Sequence, residues 1–130
     1  MSQENVEVVR ASNEAFDQAD PAGAFAHVDP KLVTTRVDPD GAVFHGHEGF
    51  LQALAEWVED FQEWSYTTEE YIDAGDRVVV RVHQFGRGQA SGVAVEADFW
   101  FVYTMAERKI TRLDIYANRA QALEAAGLRE

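Results

Sequence analysis

The sequence predicts an α+β fold, in which helices pack on the concave face of a strongly curved, cone-shaped antiparallel sheet. Residues 65–116 contain four long strand-like segments in succession, and turn signals at 73–76, 86–88 and 106–109 separate them. Three helix-like segments and one short extended piece come first. Helices grouped ahead of a long antiparallel meander are typical of an α+β domain. The sheet and the helices would enclose a pocket, and we expect the function to lie there.

Helical periodicity and capping residues define the other elements. An inner stripe at 3.6-residue spacing predicts a first helix, and the pair Asp20-Pro21 predicts the start of a second. Asp29-Pro30 would end that helix, and a short strand at 32–37 and a turn at 38–41 would follow it. A third helix is expected from Gly46 and a last one after the sheet. The residues of the first inner stripe are Val6, Val9, Asn13 and Phe16.

The segment 78–83 separates two kinds of side chain. Alternation places its three even-numbered valines on one face, and Val79, Arg81 and His83 on the other. We expect Arg81 and His83 to face the helices and the pocket. The valine face, together with Trp100, would then be an exposed apolar surface, and such surfaces are rare on monomers. The sequence therefore predicts a homodimer through that sheet face.

Composition limits the classes of function. The chain of 130 residues is expected to form a single domain, 1–130, and its hydrophobic fraction of 46% is globular. It has no cysteine, no run as apolar as a membrane span and a polar, acidic N-terminus, so we expect a cytoplasmic protein without a signal peptide. A net charge of −12 argues against nucleic-acid and membrane partners. His45 and His47 lack a third ligand at metal spacing, and no phosphate loop is present, so we expect neither a metal nor an organic cofactor.

Several motifs resemble a known family. They are the segments 6–20 and 71–80, the pair Asp29-Pro30, the run Gly46-His-Glu-Gly49 and the tail 122–128. Together they are similar to the SnoaL-like proteins of the nuclear transport factor 2-like superfamily, over essentially the whole chain. The resemblance implies the cone fold but no single reaction, since the superfamily includes polyketide cyclases, ketosteroid isomerases, limonene epoxide hydrolases, dehydratases and non-catalytic binding domains.

The resemblance also suggests site residues. Limonene epoxide hydrolases use an Asp–Arg–Asp set. Arg81 matches its arginine, but His83 and Ile115 stand where the two carboxylates would be, so that site is absent. In ketosteroid isomerases a tyrosine would fall near Ser12 and a second acid near Trp100 or Phe101. Asp38 is the nearest equivalent of their catalytic base. SnoaL-like relatives often carry aromatic residues where this chain has Asn13 and near Thr35, so smaller residues there would enlarge the pocket.

The candidate catalytic residues are therefore His83, Arg81 and Asp38, and the candidate substrate-binding residues are Asn13, Thr35, Phe101 and Ile115. Arg81 would bind an anion or oxyanion, and His83, kept neutral by that cation, would act as a general base. Alternatively, Arg81 forms an internal ion pair, His83 is a satisfied core histidine, and Asp38 is a structural turn residue. The expected ligand is a small apolar molecule bearing a carbonyl. Two functions remain: a cofactor-independent isomerase, cyclase or dehydratase, and a non-catalytic ligand-binding or dimerisation module.

Overall fold

A computed structural model describes residues 2–128. Its elements follow the predicted order, with two differences: an unpredicted short strand lies between the turn at 38–41 and the third helix, and Asp29-Pro30 lies within the first strand rather than at the end of the second helix. The helices are α1 (Ser2–Asp17), α2 (Pro21–Phe25), α3 (Gly46–Glu59) and α4 (Arg119–Ala125). The strands are β1 (Val28–Arg36), β2 (Ala42–His45), β3 (Phe61–Ala74), β4 (Arg77–Gly88), β5 (Ala94–Ala106) and β6 (Lys109–Tyr116). The α+β fold class is confirmed. None of the helices in the described range combines the length and the hydropathy that crossing a bilayer requires.

The six strands form one open sheet in the order β2-β1-β6-β5-β4-β3. The long meander β3–β6 is antiparallel, as predicted, but β1 runs parallel to β6, so the sheet is mixed rather than purely antiparallel. Two parallel strands need a long connection between them. Here the chain that connects β1 to β6 forms β2, α3 and the strands β3–β5. Register shifts place extra residues in β1, β3 and β6, and such irregularities bend the strands that contain them.

Three helices cover one face of the sheet and the fourth covers part of the other. The helices α1 and α3 contact the sheet on its concave side, and α2 packs between α1 and β1. In contrast, α4 contacts β5 and β6 from the opposite side, where Leu123 packs with Val79 and Val102. The prediction that the helices pack on the concave face therefore holds for α1–α3, while α4 lies on the convex face.

The valine face of β4 is the core of the protein. Val78 and Val80 are 0% exposed and pack with Val9 of α1 and Leu113 of β6. The prediction of an exposed valine face was therefore wrong, because α1 buries it. Trp100 does not share this face either, since it pairs with Arg81 across the ladder, while Val80 pairs with Phe101. Homodimerisation stays a prediction, but those valines cannot mediate it.

Candidate functional site

A pocket of about 150 Å³ lies between the concave face of the sheet and the helices α1–α3. Its walls are mostly aromatic and aliphatic because the inner stripes of the helices and the inward residues of the strands converge on it. The helices contribute Phe16, Phe25, Phe50 and Leu54, and the strands contribute Val82, Phe99, Phe101 and Ile115. Such a wall suits an apolar guest.

Two indole rings hold one amide at the pocket wall. The Nε1 atoms of Trp57 on α3 and Trp64 on β3 both donate to the Oε1 atom of Gln84, at 2.9 Å and 3.0 Å. Gln84 is only 8% exposed and shares its face of β4 with Val82. The amide is thus a polar group inside an apolar wall, and its oxygen is already satisfied.

A second polar group links α1 to the sheet. The Nδ2 atom of Asn13 donates to the Tyr71 hydroxyl, and the Tyr103 hydroxyl donates to Asn13 Oδ1, both at 3.4 Å. Burial raises the pKa of Tyr103, so its hydroxyl stays protonated. Burial, reinforced by a hydrogen bond to Asp17, likewise raises the pKa of Tyr66. These tyrosines are hydrogen-bond donors rather than bases at neutral pH.

Thr34 of β1 lines the pocket and is 0% exposed. Within residues 2–128 its Oγ1 atom has no hydrogen-bond partner. A buried hydroxyl without a partner is unfavourable by about 1–3 kcal/mol. The pocket wall therefore contains one buried hydroxyl that the described residues leave unsatisfied.

The charged residues of the wall are Arg36 and Asp38, which follow Thr34 on the same face of the chain. Arg36 binds Asp40 through two hydrogen bonds of 2.9 Å and 3.0 Å, with Glu56 at 3.8 Å, so its charge is compensated. The hydrogen bond to Asp40 is the main cause that raises the pKa of Arg36. Asp38 is the one carboxylate that lines the pocket among the described residues. Its Oδ2 atom accepts a hydrogen bond of 2.8 Å from the backbone N–H of Ala117, which holds it in place.

The predicted site residues divide between the two faces of the sheet. Asn13, Asp38, Phe101 and Ile115 line the pocket. Thr35 does not: it points to the convex face, where its Oγ1 atom accepts a hydrogen bond of 3.3 Å from Arg112. Its neighbour Thr34 takes the pocket position, because successive residues of a strand face opposite ways.

The expectation that Arg81 and His83 face the pocket was wrong. Both lie on the convex face, because the apolar even-numbered side of β4 is the one that packs against α1. Arg81 pairs with Glu70 at 3.6 Å and with Asp98 at 3.5 Å. This is the ion pair of the alternative interpretation, at a half-buried surface rather than in the core.

The nearest charged groups to His83 are two carboxylates, whereas the sequence predicted that the Arg81 cation would determine its protonation. Its Nδ1 atom lies 2.7 Å from Asp98 Oδ1 and its Nε2 atom lies 3.0 Å from Glu96 Oε1. The hydrogen bonds to Glu96 and Asp98 raise the pKa of His83, whereas the sequence had suggested a lowered value and a neutral ring. On this face His83 cannot act on a molecule inside the pocket.

Sequence reasoning missed Thr34 and Gln84. Gln84 did leave a signal, since it is the polar end of the stripe that begins with Val78. A lone amide that interrupts an apolar face is a candidate contact for a ligand or for a buried polar partner. Thr34 could not be separated from Thr35, since both are threonines and their faces depend on the register of β1.

The fold described above is that of the nuclear transport factor 2-like class, and solved structures agree. An NTF2-like protein from Burkholderia xenovorans LB400 is 27% identical, with a TM-score of 0.72 and coverage of 97% of both chains. TerC, co-crystallised with polyporic acid, is 24% identical, with a TM-score of 0.72 over 95% of this chain and 98% of its own. A candidate SnoaL-like polyketide cyclase from Mesorhizobium loti is 26% identical, with a TM-score of 0.62 over 85% of this chain and 96% of its own.

The model of the SnoaL-like domain family matches residues 9–113, and the chain therefore belongs to the SnoaL-like family. The resemblance drawn from the sequence motifs is confirmed. Comparison with curated proteins gives no significant match.

Proposed function

We propose that this protein binds a small, largely apolar molecule in the pocket between its sheet and α1–α3. The observation that carries the proposal is the aromatic wall around a cavity of about 150 Å³, which few polar groups interrupt. A cavity of this composition gains free energy when an apolar guest displaces its water. The similar fold of TerC, which was co-crystallised with polyporic acid, supports an organic ligand for this architecture.

We further propose that the bound molecule undergoes acid–base chemistry, with Asp38 as the general base. Asp38 lines the pocket, and the backbone N–H of Ala117 fixes the orientation of its carboxylate. A carboxylate beside an apolar cavity can remove a proton from carbon next to a carbonyl and return it elsewhere, as an isomerase does. The non-catalytic alternative is favoured by a separate observation: Arg81 and His83, the other two candidate catalysts, lie on the opposite face.

Binding is tested with the neutral fluorescent probe N-phenyl-1-naphthylamine, whose emission rises in apolar surroundings. We expect saturable binding by the wild type and its loss in Ile115→Trp, which fills the pocket from the sheet side. Tyr116→Phe, one residue along on the other face, is the matched control and should bind as the wild type does. Equal binding by all three proteins would place the probe outside the pocket and contradict the proposal.

Catalysis is tested with 3-cyclohexenone, whose conversion to the conjugated isomer is followed by ultraviolet absorbance. If Asp38 is the base, Asp38→Asn should lower the isomerisation rate by about 100-fold or more and leave probe binding intact. Glu59→Gln, which neutralises an exposed carboxylate at the end of α3 outside the pocket, is the control and should keep the rate of the wild type. Absence of turnover by a wild type that binds the probe would favour the binding module over the enzyme.

A further inference from the structure

We propose that Gln84 selects ligands that present a neutral hydrogen-bond acceptor, such as a ketone or ester oxygen, and that Trp57 and Trp64 orient it for this role. The inference rests on the proposed function, because it names the class of molecule that the pocket accepts. It depends on a set of contacts that the acid–base proposal does not use.

The two indoles determine which way the amide points. An indole N–H can only donate, so the atom that meets both Trp57 Nε1 and Trp64 Nε1 must be the carbonyl oxygen of Gln84. Turning the amide over would bring its NH₂ group against two donors. The orientation therefore follows from the chemistry of the three side chains.

The same contacts leave the amide nitrogen available. Among residues 2–128, no acceptor takes a hydrogen bond from Gln84 Nε2, although the side chain is more than nine-tenths buried. Gln84 lies in the pocket wall between the rings of Trp57 and Trp64, and Phe99 packs edge-on against Trp57 with ring centroids 5.5 Å apart. An unpartnered donor on a residue of the pocket wall that is only 8% exposed favours a guest that brings an acceptor, since an apolar guest leaves it unsatisfied.

The charges of the wall favour a neutral acceptor over an anion. Arg36, the one cation that lines the pocket among the described residues, is already bound to Asp40 and lies near Glu56. The carboxylate of Asp38 lies in the same wall, and the chain carries a net charge of −12. An anionic guest would lose its hydration without meeting an uncompensated positive charge.

The test uses two probes of the same shape. In 2-acetylnaphthalene the side chain carries a carbonyl oxygen, and in 2-isopropenylnaphthalene a CH₂ group replaces it. Dissociation constants of both are measured by equilibrium dialysis for the wild type and for Gln84→Met, which has similar length and no donor. We expect the wild type to prefer the ketone by about tenfold or more and Gln84→Met to bind both about equally, because one hydrogen bond is lost.

A second variant guards against a loss of folding in Gln84→Met, which leaves two indole N–H groups without an acceptor. In Trp64→Phe one of the two indole donors is absent, and the amide of Gln84 can turn more freely. The ratio of the two dissociation constants, which measures the preference for the ketone, should therefore fall part of the way towards one. Circular dichroism melts establish that each variant is folded.

The outcomes separate the two proposals. If the wild type binds both naphthalenes equally, or if Gln84→Met keeps the preference for the ketone, the role of Gln84 is wrong while the pocket stands. If the wild type binds neither naphthalene nor the fluorescent probe, the proposed ligand site fails and the inference falls with it.

Discussion

The two faces of β4 differ in how far helices cover them. On the concave face the covered stripe extends from Val78 to Val82, and it ends at Gln84, whose amide meets two indoles. On the convex face α4 covers only Val79, and the following residues, Arg81 and His83, meet solvent and the charged side chains of β3 and β5. Both faces of β4 begin with buried valines, so the face that encloses a pocket is decided by the helices that pack over it: α1–α3 on one side and α4 alone on the other.

The strongest test of this difference is to replace Val80, a core residue covered by α1, with a charged residue. Val80→Glu should lower the free energy of unfolding by about 3–5 kcal/mol, because it buries a carboxylate without a partner. Urea denaturation measures the change. Val95→Glu is the control: Val95 is 45% exposed, and the change should stay within about 0.5 kcal/mol.

An opposite result would reverse the assignment of the faces. If Val80→Glu kept the stability of the wild type and instead halved a dimeric mass in light scattering, Val80 would lie on an exposed interface, as the sequence first suggested.

A change on the convex face should have a smaller effect. Arg81→Met removes two ion pairs of a side chain that is 32% exposed, so we expect a loss of about 1 kcal/mol or less. Binding of N-phenyl-1-naphthylamine should be unaltered, since Arg81 does not line the pocket. A folded Arg81→Met protein that no longer binds the probe would restore Arg81 as a site residue.

The smallest effect is expected from the titration of His83, which faces Glu96, Asp98 and the nearby Arg81. Because the two carboxylates raise the pKa of His83 in the folded protein, protonation stabilises the folded state. This contribution is fully present below the ordinary pKa of about 6.5 and is lost as the pH rises through the raised value. The urea midpoint of the wild type should therefore exceed that of His83→Gln most at about pH 5.5, and the gap should narrow towards pH 9. A gap that widens with pH would contradict the assignment.

Local patterns predicted much of the fold. The 3.6-residue spacing of Val6, Val9, Asn13 and Phe16 identified the inner face of α1, and Asn13 does line the pocket. Alternation along β4 correctly separated Arg81 and His83 from the even-numbered valines. What alternation cannot give is the side of the sheet on which each set lies, because Val79 makes both faces apolar at that point.

The pocket residues that were missed depend on contacts between distant parts of the chain. A shift of one residue in the register of β1 would move Thr34 to the convex face and Thr35 to the pocket. Only the pairing of β1 with β2 and β6 determines which of the two faces inward. Gln84 acquires its orientation from Trp57, 27 residues away on a helix that crosses above the sheet. Neither relation leaves a periodic signal in the sequence.

The sequence by itself determined the α+β class, the family and the apolar stripes, because these follow from local spacing and turn chemistry. The tertiary structure decided which face of the sheet the helices α1–α3 cover, and hence that the pocket contains Asp38, Thr34 and Gln84 rather than Arg81 and His83. The physical reason is that a strand assigns side chains to two faces by local geometry, whereas burial of a face depends on the helices that pack against it from elsewhere in the chain.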